Sequence, residues 1–480
     1  MIELNRSVGF YQTKGSAMGR RYKYKKLLAF MESGLLLVIE TALFAYVWYS
    51  HYMYYIQIPF WRRGNYAVIG IYTLILFLFT KLYGGYRVGY LRLMDVLYSQ
   101  VLSLVCSNIV LYFQLCIIGR DYMNPKWLLA MTAVEVIAIF AWVFLCKWLY
   151  AKIYPPRKMI LIYGEELPQA FINKINSRKD KYNICDTVHI DEGIDVILEK
   201  ISHYWNVVIC DTPSSIRNVV MKYCFEKSIR TYTVPKVADI MILGSEQMHL
   251  FDTPLLLQRN QGLNGDQELL KRCMDIIGSL VMLVLASPIM LIIAIAIKCY
   301  DGGPVFYRQT RLTKDGKEFS IYKFRSMRVD SEKDGARLAM KGDSRVTPVG
   351  KVIRNLHFDE FPQIFNILKG DMSLVGPRPE RPEINEQYKE YIPEFGFRLK
   401  VKAGLTGYAQ VYGKYNTTPR DKLKLDLFYI EHYSIWLDIK VLLLTFKILF
   451  QKENTEGVDE NQTTAIQEPS KTGNDMKDDE

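Results

Sequence analysis

Four apolar segments, near Leu27–Tyr49, Asn65–Leu82, Met94–Ile118 and Trp127–Tyr150, constrain this chain more than any other feature. Each is about long enough to cross the hydrocarbon core as a helix, which satisfies its own backbone polar groups there. Trp48, Tyr49, Trp127 and Trp148 stand near segment ends, where interfacial aromatics collect. Basic residues precede the first segment (Lys14, Arg20, Arg21, Lys23, Lys25, Lys26). They recur in the loop with Lys81, Arg87 and Arg92, and after the fourth segment at Lys147, Lys152, Arg157 and Lys158. The positive-inside bias then predicts a four-helix transmembrane bundle over 27–150 with both ends in the cytoplasm, and a basic cytosolic N-terminus over 1–26 without a cleavable signal pattern. Arg62 and Arg63 on the other side weaken that bias without reversing it. Glu40 and Glu135 fall within spans; a helix-packing or interfacial role is expected, with a proton or ion path as the alternative.

Half of the 480 residues are hydrophobic while 23% are charged, so membrane and soluble parts are mixed. The net charge of +11 suits anionic headgroups or anionic substrates. Nucleic acid is disfavoured as a partner because much of the basic charge flanks apolar segments. Eight cysteines without a Cys-x-x-Cys pair indicate neither a zinc site nor a disulfide framework. From Arg157 the composition becomes soluble. Short apolar runs at Met159–Gly164, Cys185–Ile190, Val207–Asp211 and Thr231–Pro235 alternate with helical stretches such as Gln169–Asn176 and Val196–His203. This order predicts a parallel sheet with crossovers, a Rossmann-like α/β module over 157–250 followed by a linker over 251–270. Gly164-Glu-Glu-Leu-Pro stands where a dinucleotide fold needs Gly-x-Gly-x-x-Gly, and its acids oppose a pyrophosphate. A structural or dimerising module is the reading, a regulatory nucleotide-sugar site the alternative, and a nucleotide-sugar dehydratase or epimerase is disfavoured.

Ile276–Ile297 is a further apolar stretch with Ser287-Pro288 at its centre, where proline removes a helical hydrogen bond. Lys271 and Arg272 before it, with Lys298, Arg308 and Arg311 after it, favour a segment that enters and leaves on one face. The expectation is a re-entrant helix broken at Ser287-Pro288, whose exposed backbone needs a partner such as the Ser287 hydroxyl; a kinked spanning helix is the alternative. Further on, Asp359 and Glu360 open a short helix with Pro362 in its first turn, Gly370 as its stop and Phe361, Ile364, Phe365 and Leu368 as its apolar face. Capping and dipole effects account for two such acids in an ordinary helix. Val375-Gly-Pro-Arg-Pro379 changes the balance, because it is a rigid turn presenting one guanidinium, and acids beside a fixed arginine suit a phosphate or metal–phosphate site.

Asp359-Glu-Phe-Pro-Gln followed by Gly370-Asp-Met-Ser-Leu-Val-Gly-Pro-Arg-Pro379 resembles the bacterial sugar transferases, the polyprenyl glycosylphosphotransferases. Gly303–Arg311, Phe319–Met327, Lys402–Gln410 and Leu425–Ile439 extend the resemblance, which runs from about Lys271 to Lys440. It implies a monotopic phosphoglycosyl transferase domain over 271–451, with its re-entrant helix at 276–297, on the cytoplasmic face of the bacterial inner membrane. The implied reaction moves a sugar-1-phosphate from a UDP-sugar to undecaprenyl phosphate and releases UMP, as the first membrane step of exopolysaccharide, capsule or O-antigen synthesis. Asp359 would attack the β-phosphorus, and Mg2+, held through Glu360, would neutralise the pyrophosphate. Arg378 would stabilise the equatorial oxygens. Arg308, Arg311, Lys323, Arg325, Arg354 and Arg381 are the other phosphate-binding candidates in a net basic region.

Two carboxylates that both ligate metal, with direct attack by the lipid phosphate, form an alternative mechanism. A membrane glycosyltransferase releasing UDP and a non-catalytic assembly scaffold are the alternative functions. Asp426 and Asp438 are expected in salt bridges more than in catalysis. His357-Phe358 replaces the Ser-Leu often found before the acid pair, Phe361 a common Leu, and Thr313 a usual Gly. These bear on substrate choice more than on reaction class. Residues 452–480 are polar and acidic, a disordered tail by composition.

Overall fold

The computed structural model describes residues 25–56, 60, 62–165, 167–258, 262–328, 345–413 and 417–449. Most of the basic N-terminus, Glu166 and the 452–480 tail lie outside the described residues. The chain forms two compact units, divided after Pro235.

The first unit opens with α1 (Lys25–Val47), α2 (Arg62–Tyr83), α3 (Leu93–Gly119) and α4 (Lys126–Ile153). All four are long and apolar enough to cross a bilayer, and they bracket the predicted segments closely. Phe44, Tyr72, Leu76, Leu104, Leu111 and Ile139 bury against one another. Val38, Leu74, Phe113, Ile117 and Ile137 point outward and stay exposed. Apolar side chains on both faces are what a lipid solvent requires and water penalises. The interior carries the polar contacts: Glu135 accepts from the Tyr72 hydroxyl at 3.0 Å and from Asn108 Nδ2 at 3.1 Å. One carboxylate thus ties α2, α3 and α4 together, the packing role expected for it.

The α/β part follows as β1 (Arg157–Tyr163), α5 (Gln169–Asn176), β2 (Tyr182–His189), α6 (Ile194–Ser202), β3 (Asn206–Cys210), α7 (Ser214–Glu226) and β4 (Arg230–Thr233). The strands pair in parallel in the order β2-β1-β3-β4. Met159–Ile162 and Val207–Ile209 are buried, as continuous apolar runs in a two-sided parallel sheet must be. Gly164 has a packing reason: a Cβ there would meet the Asp211 carbonyl oxygen at 2.0 Å.

The second unit begins with α8 (Val237–Leu243), then a hairpin of β5 (Glu246–Leu250) and β6 (Thr253–Leu257). Ile240 is buried in this unit's core, so α8 packs here rather than with the α/β module, and part of the expected linker forms β6. Next come α9 (Gly265–Asp301), the antiparallel pair β7 (Phe306–Leu312) and β8 (Glu318–Phe324), α10 (Pro348–Asn355), α11 (Gln363–Lys369) and β9 (Ser373–Val375). The unit closes with α12 (Pro382–Tyr391), β10 (Gly404–Thr406), α13 (Tyr408–Tyr412), α14 (Pro419–Glu431) and α15 (Ile435–Leu449).

Helix α9 corrects the expected break. It runs 37 residues, about 55 Å at the usual rise, through Pro288 to a left-handed stop at Gly302. Pro288 donates no hydrogen bond to Val284, and the Ser287 hydroxyl donates to that carbonyl at 3.0 Å instead. The local remedy was anticipated, but the helix does not break. Its inward face, Lys271, Asp275, Ser279, Ala286, Met290, Ile293 and Ile297, recurs at helical spacing. Ile277, Val284, Leu285, Leu291 and Ile292 on the other faces are exposed. Lys271 and Arg272 are not free headgroup-facing charges: Lys271 pairs with buried Asp438 at 2.6 Å, and Arg272 donates to the carbonyls of Ile367 (2.6 Å) and Leu368 (2.7 Å). The second pair of contacts satisfies the C-terminal carbonyls of α11.

Candidate active site

Strand β8 and helix α11 set the site. Buried Asn366 joins them, donating to the Ser320 carbonyl at 2.8 Å and accepting from the Tyr322 N–H at 2.9 Å. This fixes Lys323, the next residue on β8, against the chain that precedes α11. That chain is a single 3-10 turn, Phe358–Glu360, entered through His357 in the left-handed region at φ 57°. The acids therefore sit in their own turn ahead of the helix rather than inside it, because α11 starts only at Gln363, after Pro362. Gly370 ends the helix with φ 99°, as expected. Phe361, Ile364 and Leu368 pack inward with Phe324 and Ile353, but Phe365 is 42% exposed and Ile367 takes the buried place. Phe365 and Ile367 flank Ile364 on opposite sides of the helix, so the buried stripe is shifted from the predicted face toward Ile367.

Glu360 Oε1 accepts from Lys323 Nζ at 2.8 Å and from Arg378 Nη2 at 2.7 Å. Burial works to raise the Glu360 carboxyl, yet Arg378 and Lys323 hold it well below the usual carboxylate range. Asp359 differs: burial and adjacent Glu360 push it up, against opposing charge from Lys323, Arg354 and His357. Two neighbouring acids thus have divergent environments, as distinct chemical roles require. Arg378 keeps 43% of its side chain exposed beside them, and can reach a ligand.

The other basic candidates separate by their partners. Arg354, half-buried, contributes to the field at Asp359. Arg308 is exposed and lies over the Tyr322 ring at 5.1 Å. Arg381 stands at the N-cap position of α12, where its carbonyl accepts from the Asn385 N–H at 3.0 Å. Arg325 is 7% exposed and forks onto both oxygens of Asp301, one at 2.8 Å, so its guanidinium fastens the end of α9 and is a poor phosphate ligand. Arg311 donates to the Pro379 carbonyl at 3.2 Å and to Gln309 at 2.7 Å, so it supports the turn rather than facing the acids. Asp426 and Asp438 do lie in buried ion pairs, with Arg398 and Lys271 at 2.7 and 2.6 Å.

The arginine turn rests on β10. Gly404 pairs with Ser373 and Thr406 with Val375, and the Gly376 N–H donates to Thr406 at 2.8 Å. A Cβ on Gly404 would lie 2.1 Å from the Gly376 nitrogen and 2.5 Å from the Thr406 oxygen. Backbone cannot yield as a side chain would. Gly404→Ala is therefore expected to cost about 3 kcal/mol or more, read as a lowered unfolding temperature of the detergent-solubilised chain. Thr313 braces the same place, donating to the Asp371 carbonyl at 2.8 Å and accepting from Ala403 at 3.2 Å.

Glu380, two residues beyond Arg378, went unnoticed in the sequence. It accepts from Lys422 and from Arg398 (3.5 Å). Burial opposes its charge, but Lys422 and Arg398 lower its carboxyl from 4.5 to about 2. A depressed acid stabilises the fold above its unfolded value and loses that contribution as pH falls through the folded one. Acid destabilisation is thus expected between pH 4.5 and about 2, and Glu380→Gln should flatten it in a pH series of thermal melts. At neutral pH the same variant should cost about 3 kcal/mol, from the cations it leaves unpaired.

Among the described residues no group of three or more Asp, Glu, His and Cys is placed to hold a metal. Asp359 and Glu360 offer two carboxylates, one oxygen of Glu360 being taken by Lys323 and Arg378. That set fits Mg2+, which is usually held by one or two carboxylates while phosphates and water complete its octahedron.

Residues 266–452 match the family model for bacterial sugar transferases. A UDP-glucose:undecaprenyl-phosphate glucose-1-phosphate transferase of Caulobacter vibrioides is 38% identical over 192 residues, 39% of this chain and 72% of that relative. The chain belongs to the bacterial sugar transferase family. A Klebsiella pneumoniae protein named for the same glucose-1-phosphate transfer is 41% identical over 236 residues, 48% of this chain and 50% of its own. An Aeromonas hydrophila UDP-N-acetylgalactosamine-undecaprenyl-phosphate N-acetylgalactosaminephosphotransferase is 45% identical over 183 residues, 38% and 43% of the two chains. The chain spans about half the length of the first curated relatives it matches. In this bacterial sugar transferase the family match begins at α9, so helices α1–α4 and the parallel sheet lie outside it.

Proposed function

We propose that this protein transfers a sugar-1-phosphate from a UDP-sugar to undecaprenyl phosphate, forming undecaprenyl-diphosphate-sugar and UMP. The observation that carries the reading is the convergence of Lys323 and Arg378 on Glu360 beside Asp359 in a chain of this family. In the first step an Asp359 oxygen attacks the β-phosphorus, the pyrophosphate bond breaks, and UMP leaves with the electron pair. The sugar phosphate is then held on Asp359 as an acyl phosphate. An oxygen of undecaprenyl phosphate attacks the same phosphorus and frees the Asp359 carboxylate. Arg378 and Lys323 follow the charge on the phosphoryl oxygens, and Glu360 orients both cations. Glu360 would hold Mg2+, which would supply neutralisation of the pyrophosphate and the leaving group.

The membrane setting follows the same reading. Helices α1–α4 form a transmembrane bundle in the bacterial inner membrane, the parallel sheet is a Rossmann-like spacer, and the transferase unit faces the cytoplasm. Both halves of α9 pack against its own globular unit, through Asp275 to Ser373 and Leu374 (each 2.9 Å) and through Ile293 and Ile297 to Phe324 and Ile353. A helix held at both ends by one soluble unit keeps both ends on one side, and its unbroken course supports a segment over 276–297 that lies along the membrane face rather than one that dips in and turns back.

The test is the nucleotide released by detergent-solubilised protein given undecaprenyl phosphate, Mg2+ and a panel of UDP-sugars. UMP is expected, and the responding sugar names the donor. UDP would move the protein to the glycosyltransferases.

A further inference from the structure

The segment Pro377-Arg-Pro-Glu380 contains two prolines, which donate no hydrogen bonds, so a turn of this kind cannot close on its own backbone. Its carbonyls are nonetheless all occupied. Pro377 accepts from the Gly404 N–H at 2.9 Å and Glu380 from the Leu312 N–H at 3.0 Å. Between them, Arg378 accepts from Arg398 Nη2 at 2.9 Å and Pro379 from Arg311 Nη1 at 3.2 Å. Two guanidiniums thus hold successive peptide oxygens, those of Arg378 and Pro379, immediately after the Arg378 Cα. They are charged groups in a dry place: Arg398 is 2% exposed, and burial depresses Arg311 below the ordinary arginine value. Asp426, 1% exposed, lies 2.7 Å from Arg398 Nη2, and Glu380 lies 3.5 Å from Arg398 and 4.0 Å from Arg311. A buried pair of this sort is weak evidence for stability, because well-packed apolar residues would serve as well. Fixing one conformation of an arch in which two of four residues lack a backbone donor is a better account of its presence.

We propose that Arg398 and Arg311 are positioning residues that fix the backbone of the 377–380 arch and thereby aim the Arg378 guanidinium at the transferred phosphate. This rests on the reading of Arg378 given above. Neither residue touches substrate; both act through Arg378. Misplacing a catalytic group by about an ångström costs on the order of 100-fold in rate.

The test is a double-mutant cycle on the full chain in detergent, reading UMP release at saturating undecaprenyl phosphate with the UDP-sugar varied. Arg398→Gln is expected to lower kcat about 10- to 100-fold with KM for the UDP-sugar changed less than about threefold. In an Arg378→Ala background the same change should cost nothing further, since residues that act as a unit are not additive. Arg311→Gln, which leaves the Arg398–Asp426 pair intact, should behave likewise and serves if Arg398→Gln does not fold. Independent losses that multiply in the double variants would overturn the positioning role, as would a rise in KM without a fall in kcat. Full activity of Arg378→Ala alone would instead remove the role given to Arg378, and the positioning role with it.

Discussion

Asp359→Asn is expected to lower UMP release by about 10⁴-fold or more, the scale seen when a covalent nucleophile is removed. The substitution is close to isosteric, so the 3-10 turn and the ion pairs of Glu360 should persist, and the unfolding temperature should change little. The environment of Asp359 adds a second readout. Burial raises its carboxyl above the ordinary 3.8. A nucleophile must be ionised, so kcat/KM should fall as pH drops through that raised value, at a pH above where an exposed aspartate would titrate. Glu360 contributes no such limb in that range, because its partners hold it ionised far below. If both acids served only as metal ligands, excess Mg2+ would restore part of the Asp359→Asn rate. No such recovery is expected.

Arg378→Ala is expected to cost about 10³-fold in kcat, within the range for an arginine that stabilises a transferring phosphoryl group. Arg378→Lys should recover only part of it, because an ammonium has neither the planar fork nor the reach to serve Glu360 and a phosphate together. The two variants differ in cause. Loss of Arg378 removes one of the two hydrogen bonds that Lys323 and Arg378 donate to Glu360, so the Glu360 carboxyl should also titrate higher, visible as an added acid limb in the rate profile.

Much of this molecule was legible because its signals are local. Long apolar runs read directly as α1–α4, and alternation of short apolar runs with helical stretches gave the parallel strands to within a few residues. The acid pair and the Gly-Pro-Arg-Pro turn were recognisable as motifs. What was missed depends on contacts between distant residues. Lys271 looked like a membrane-flanking charge and instead pairs with Asp438, 167 positions away. Arg325 looked like a phosphate ligand and is bound to Asp301. Arg398, Glu380 and Lys422 carry no motif; in the sequence they are ordinary surface charges, and only tertiary packing buries them around the arch. The unbroken course of α9 has a similar origin, since the Ser287 hydroxyl and packing along its inward face offset the cost of Pro288.

The central claim is that the sugar phosphate passes through Asp359. It is tested most directly by giving the protein its UDP-sugar and Mg2+ without undecaprenyl phosphate, then measuring the intact mass and the nucleotide released. The account predicts one sugar-phosphate adduct per chain, mapped by peptide mass to Asp359, absent in Asp359→Asn and matched by one equivalent of UMP. An unmodified chain that releases UMP only when the lipid phosphate is added would contradict it and point to direct attack by the lipid.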